Sequence, residues 1–133
     1  MKQSEINQSI RALVAKIAKQ EGLKVAWSNI TFDDINSPYL QMHIMPAQTE
    51  NIGLSLDMPI LKGVIQINIV GKVGTGDEQL TLIADNIKDQ LENGLSLTNT
   101  LYLNGEPSQF PPITNDANYI IPIRTSYRCD SVR

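Results

Sequence analysis

The 133-residue chain carries 11 basic and 14 acidic residues, a net charge of -3, and one cysteine, Cys129. That length suits one domain, residues 1–133, with its own core; a single cysteine excludes an intrachain disulfide; the acidic balance argues against a nucleic-acid partner met through a dense basic face. No stretch approaches the ~20 apolar residues of a membrane-spanning helix, and the polar start Met1 to Asn7 does not read as a signal peptide, so synthesis in a reducing cytoplasm is expected.

The first predicted element is a helix from Ser4 to Glu21. Ile6, Ile10, Leu13, Val14 and Ile17 recur on one stripe, Lys16 and Lys19 fall on the far side, and Gly22 supplies a stop. Val25 to Phe32 mixes aromatic and β-branched residues and reads as a short strand leading to the turn Asp33 to Pro38. Tyr39 to Pro46 alternates as a half-buried strand does, with Leu40, Met42 and Ile44 on one face. From Ala47 to Lys62 two readings stand: a long connection carrying Leu54, Leu56, Met58 and Ile60, or a simple extension of the flanking strands into a longer hairpin.

The clearest pattern runs from Lys62 to Gly94. Ile65, Ile67 and Ile69 share one face of a strand; Gly71, Gly74 and Gly76 then punctuate the chain; Thr75 and Glu78 have capping-box spacing for the helix that follows. Leu80, Ile83, Ala84, Ile87 and Leu91 form the buried stripe of that helix. Glu78, Asp85, Asp89 and Glu92 fall on its wet side, and Asn93 and Gly94 are expected to end it. Thr100 to Leu103 reads as a short strand. Asn104 to Asn118 holds Gly105, Pro107, Pro111 and Pro112, which argues against a regular ladder. Tyr119 to Tyr127 closes the sheet, Tyr119, Ile121, Ile123, Thr125 and Tyr127 sharing a face. Pro122, which cannot donate to a ladder, puts that strand at an edge or a bulge, and the tail from Arg128 is expected to fray. The sum is an α+β fold, a mainly antiparallel sheet with two helices packed on one face.

No catalytic set is legible. The run from Gly71 to Gln79 has glycines before a helix but neither dinucleotide nor P-loop spacing, and Asp77 and Glu78 put negative charge where an anion would sit. His43 is the only histidine and stands far from Cys129, so no metal-ligand set or triad suggests itself. Asp33 and Asp34 are explained by turn chemistry. No cofactor is expected.

Charge is unevenly placed. Lys2, Arg11, Lys16, Lys19 and Lys24 stand against Glu5 and Glu21 in the first 24 residues, whereas Asp77, Glu78, Asp85, Asp89 and Glu92 stand against Lys88 later. A basic and an acidic element can meet within a molecule or between subunits, and Lys16 or Lys19 is expected to face acids of a neighbour, Asp85 and Asp89 being the candidates.

Several stretches together resemble one family. Val25 to Phe32 (VAWSNITF) followed by Tyr39 to Thr49 (YLQMHIMPAQT) is similar to the signature of the tail terminator, or tail completion, proteins of long-tailed bacteriophages, the lambda U-type group. Gly63 before the strand, the glycine turn at Gly76 and the closing segment Tyr119 to Tyr127 sit in the order that family shows. The positions carried over are Trp27, Asn29, Phe32, Tyr39, Pro46, Ala47, Gly63, Gly76 and the strand from Tyr119 to Tyr127, fold-defining positions rather than a contact site. The resemblance implies a virion-tail protein, made in the bacterial host cytoplasm, that forms a hexameric ring on the tail tube, stops its polymerisation and offers the head a joining surface. Its implied partners are its own copies, the tail tube protein and a head–tail connector protein, with no membrane and no specific nucleic acid. Another neck or connector protein is the alternative within phage structure. A small nucleotide-binding domain or enzyme using the glycine turn is the alternative outside it.

Overall fold

A computed structural model describes residues 2–27, 38–47, 50–52, 58–72, 78–115 and 118–130. Over these the chain runs α1 (Gln3–Glu21), β1 (Lys24–Ala26), β2 (Tyr39–Pro46), β3 (Glu50–Ile52), β4 (Met58–Lys72), α2 (Glu78–Gln90), β5 (Leu101–Leu103), β6 (Ser108–Gln109), β7 (Ile113–Asn115) and β8 (Asn118–Asp130). This is the expected α+β arrangement: both helices contribute to one core with the same face of a mostly antiparallel sheet.

Apolar side chains at helical spacing hold the helices down. Ile6, Ile10, Val14 and Ile17 from α1 and Leu80, Ala84 and Ile87 from α2 are buried against Leu40, Met42, Ile65, Ile67, Ile69, Ile121 and Ile123 of the sheet. Lys2 N–H donates to Glu5 Oε1 (3.2 Å) at the start of α1. Gly22 ends that helix in the left-handed region at φ 69°, with Leu23 N–H returning to the Ala18 carbonyl at 2.9 Å.

The sheet runs β1-β2-β4-β8-β5, with β3 beside β4 and with β6 and β7 beside β8. β3 pairs Glu50 with Ile60 where β2 has finished pairing Pro46 with Gly63, so residues 50–52 and 58–62 of the Ala47 to Lys62 segment extend the hairpin. Leu54 and Leu56 lie outside the described residues. β1 departs from the antiparallel rule by pairing parallel with β2, Lys24 opposite Tyr39. It covers two residues of the Val25 to Phe32 stretch, Val25 and Ala26, and 28–37 lie outside the described residues.

Four expectations need correction. β8 is interior, not an edge: it pairs with β4 from Ile60↔Asp130 to Lys72↔Asn118 and with β5, β6 and β7 on its other side. Pro122 fits there because its carbonyl accepts from Phe110 N–H (2.9 Å), on the side away from β4; the N–H it lacks would have pointed the same way, into the gap between β6 and β7. The proline-rich segment does form ladder, in the short pieces β6 and β7 on either side of Pro111 and Pro112. Arg128 to Asp130 belong to β8, Cys129 being fully buried between Leu61 and Leu101.

Finally, α2 ends at Gln90, before Asn93 and Gly94. Leu91 N–H already bonds back three residues to Lys88 (3.1 Å), while Asn93 Oδ1 accepts from Gly105 N–H (2.8 Å) and Gly94, at φ 87°, donates to the Leu103 carbonyl (2.8 Å). Asn93 and Gly94 thus turn the chain onto the outer side of β5, where Leu103 N–H to Leu95 (2.9 Å) and Leu97 N–H to Leu101 (2.8 Å) cover that edge.

Candidate subunit interface

The outer faces of the two helices carry opposite charge. On α1 the side opposite the core runs Gln8, Ala12, Ala15, Lys19, spaced four, three and four residues apart, with Arg11 and Lys16 flanking the two alanines; all six are exposed. On α2 the same spacing gives Glu78, Leu82, Asp85, Asp89, also all exposed. Leu82 is 61% exposed, the most open of the large apolar side chains among the described residues, and it stands in the middle of this acidic ridge.

Lys16, Lys19, Asp85 and Asp89 therefore all face outward, and the fold does not bring the two pairs together within the chain. Asp85 has a surface ion pair with Lys88 one turn on (3.5 Å), a contact of the kind that contributes little. The helices are joined instead at Glu21, whose carboxylate accepts from Asn86 Nδ2 (3.1 Å) and Gln90 Nε2 (3.3 Å). A groove beside this joint is lined by Leu23, Ile83 and Leu82, and a second, between α1 and the turn after α2, by Leu13, Lys16, Leu95 and Leu97.

The sheet face turned away from the helices carries a polar row across its middle strands. Arg124 Nε donates to Gln66 Oε1 (2.8 Å), Gln66 Nε2 to Asn68 Oδ1 (2.9 Å) and Asn68 Nδ2 to Gln41 Oε1 (3.4 Å), a chain of side-chain bonds across three strands. At its end the Arg124 guanidinium lies over the Phe110 ring at 4.8 Å. Phe110 through Thr114 are all exposed, a stretch that the proline content alone did not mark as an apolar surface. Further along β8, Asp130 accepts from Arg128 Nε (2.8 Å) and from the Tyr102 hydroxyl (3.3 Å); burial and then the Asp130 charge push the Tyr102 hydroxyl up from its ordinary value.

The motif residues within the described segments occupy packing and strand positions. Trp27 and Tyr119 pack half-buried on the core, Tyr39 opens β2, and Pro46 and Ala47 close it, Ala47 N–H donating to the Lys62 carbonyl at 2.8 Å. Gly63 and Tyr127 are cross-strand partners. Asn29, Phe32 and Gly76 lie outside the described residues, as do Asp33, Asp34, Thr75 and the rest of the glycine turn after Lys72. Gly71 itself is a packing position: a β-carbon there would meet Leu80 Cδ1 at 2.8 Å. His43 is exposed on β2, opposite Gln66. Among the described residues, no three His, Cys, Asp or Glu side chains converge as a metal site and no helix is long and apolar enough to cross a membrane.

A family model described as "Phage tail terminator protein" matches residues 5–127. This chain belongs to the phage tail terminator family. The match spans most of α1, the whole of β1 to β7 and α2, and most of β8, so membership rests on nearly the full length of the chain rather than on one motif. One solved structure is similar at 25% identity and a TM-score of 0.80, covering 100% of this chain and 99% of that chain. A comparison with curated proteins gave no match. A phage tail terminator is a structural protein of the bacteriophage tail, with tail-associated partners, and its family is not one of enzymes.

Proposed function

We propose that this tail terminator assembles as a hexameric ring on the end of the growing tail tube, stops its polymerisation and presents the surface to which the head joins. The observation that carries the reading is the family match across residues 5–127. The opposed helix faces support it, because a ring needs a heterologous interface in which one patch meets a different one and the rotation closes. Its partners on this reading are its own copies, the tail tube protein and a head–tail connector. The single domain is made in the host cytoplasm and then built into the virion tail. The net charge of -3 fits a protein that lets nucleic acid pass without holding it.

Electron microscopy of particles made by the source phage or prophage, after this gene is inactivated, tests the proposal. Overlong tails detached from filled heads are expected. Tails of normal length that fail to attach would move the protein to a neck or connector role, and normal particles would overturn the structural reading.

A further inference from the structure

We propose that successive copies of this chain meet helix to helix, the outer ridge of α1 on one copy against the outer ridge of α2 on the next, with Leu82 seated over Ala12 and Ala15. The contact deepens the ring reading and rests on it.

Three observations converge on this pairing. The first is charge: Arg11, Lys16 and Lys19 line one exposed ridge and Glu78, Asp85 and Asp89 the other, with no ion pair between the two sets within the described chain. Bringing the ridges of two copies together pairs opposite charges along a shared length, whereas α1 against α1 or α2 against α2 would oppose like charges. The pairing is thus directional.

The second is shape. Ala12 and Ala15 are the only exposed apolar residues of the α1 ridge, and they leave a shallow seat between the Arg11 and Lys16 side chains. Leu82 is the matching projection, 61% exposed on a helix whose other outward residues are polar. A branched apolar side chain set over small residues and ringed by charge pairs resembles the buried centre and polar rim of a protein interface.

The third is spacing. Residues 8, 12, 15 and 19 on α1 and 78, 82, 85 and 89 on α2 both follow the four-three-four rhythm that lets two helices run side by side at a small crossing angle. Since the ridges differ, each copy offers one to each neighbour, which is the requirement for ring closure.

The test is disulfide trapping in the full chain. The only native cysteine, Cys129, is fully buried. The double variant Ala15→Cys with Leu82→Cys is treated with a mild oxidant and run on a non-reducing denaturing gel. A ladder of covalent multimers is expected; the two single variants mixed should give cross-linked dimers, and neither single variant alone should. In parallel, Lys16→Glu with Lys19→Glu should lower ring formation at least tenfold, and adding Asp85→Lys with Asp89→Lys should restore it. The unmodified protein is imaged for rings both as concentrated protein and at tail ends. Rings that form without the A15C–L82C cross-link and ignore the charge reversal overturn this contact and leave the ring reading standing. Cross-linking of A15C to itself overturns the directional pairing. Absence of rings in both settings overturns the ring and the contact together.

Discussion

The ring of Tyr127 lies across Gly63, its cross-strand partner. A β-carbon at Gly63 would come within 2.6 Å of the Tyr127 hydroxyl, 2.8 Å of its ring and 2.6 Å of the Met45 carbonyl oxygen. The same hydroxyl accepts from Gln3 Nε2 at 3.2 Å, so one tyrosine joins β8 to the first turn of α1 over the back of β4. Two positions that the sequence resemblance singled out thus form a single packing unit.

Gly63→Ala is accordingly expected to destabilise by about 3 kcal/mol, the upper end of overpacking costs, because the Met45 carbonyl belongs to the neighbouring strand and cannot step aside. Gly71→Ala meets only the methyl end of Leu80, which can turn away, and should cost about 1 kcal/mol. Urea unfolding of the two variants checks the order; equal losses would show that the Met45 carbonyl does not set the limit at Gly63.

Burial raises the Tyr127 hydroxyl above its ordinary value of 10.0, against a smaller lowering by Gln3. Since the unfolded chain loses this proton first, the stability tied to it is complete below about pH 10 and falls as pH rises through the higher folded value. Tyr127→Phe should cost about 1 kcal/mol at neutral pH through the lost Gln3 bond, and should soften the alkaline decline. Tyr102, also raised, preserves part of that decline. Thermal melts between about pH 8 and 11 read both effects.

Thr125 is 3% exposed on the helix-facing side of β8, and its hydroxyl has no hydrogen-bond partner among the described residues. Replacing an unpaired buried hydroxyl with a methyl removes its desolvation cost, so Thr125→Val should stabilise by about 1 kcal/mol. Thr125→Pro should instead prevent folding: alternation from Pro122 turns the 125 N–H toward β4, where the ladder uses it. Differential scanning calorimetry of both variants decides; a destabilised Thr125→Val would reveal a partner for the hydroxyl.

Ile67 is fully buried at the centre of β4, and Ile67→Ala should cost about 3 kcal/mol through transfer and cavity terms. Leu82→Ala, at a side chain 61% exposed, should alter the monomer by no more than about 0.5 kcal/mol. Denaturation midpoints of the two measured side by side would expose any hidden core role for Leu82.

Where apolar residues recur at a fixed period, the sequence was easy to read. The stripes of α1 and α2, the inward faces of β2 and β4 and the glycine stop at Gly22 all stand where their spacing put them. The errors share a cause: each was decided by what lies across the sheet rather than along the chain. Pro122 looked like an edge residue because a proline lacks a donor, and only the pairing of β6 and β7 shows that no donor is required there. Asn93 and Gly94 looked like a helix stop, but their partners, Gly105 and Leu103, are reached only after the turn into β5. At the candidate interface, the charge asymmetry of Lys16 and Lys19 against Asp85 and Asp89 was legible. Leu82 was not, since a single apolar residue on a wet face has no periodicity to announce it.

The position of β8 has a consequence for how the protein is made. The strand that fills the middle of the sheet is the last described one to leave the ribosome, and β4, its partner over thirteen register pairs, must wait for it. Until then the nascent chain holds Ile65, Ile67 and Ile69 beside an unfilled edge, a state open to aggregation. Folding of the sheet therefore waits for β8: a chain truncated before Asn118 lacks the central ladder, and β4 is left without its partner.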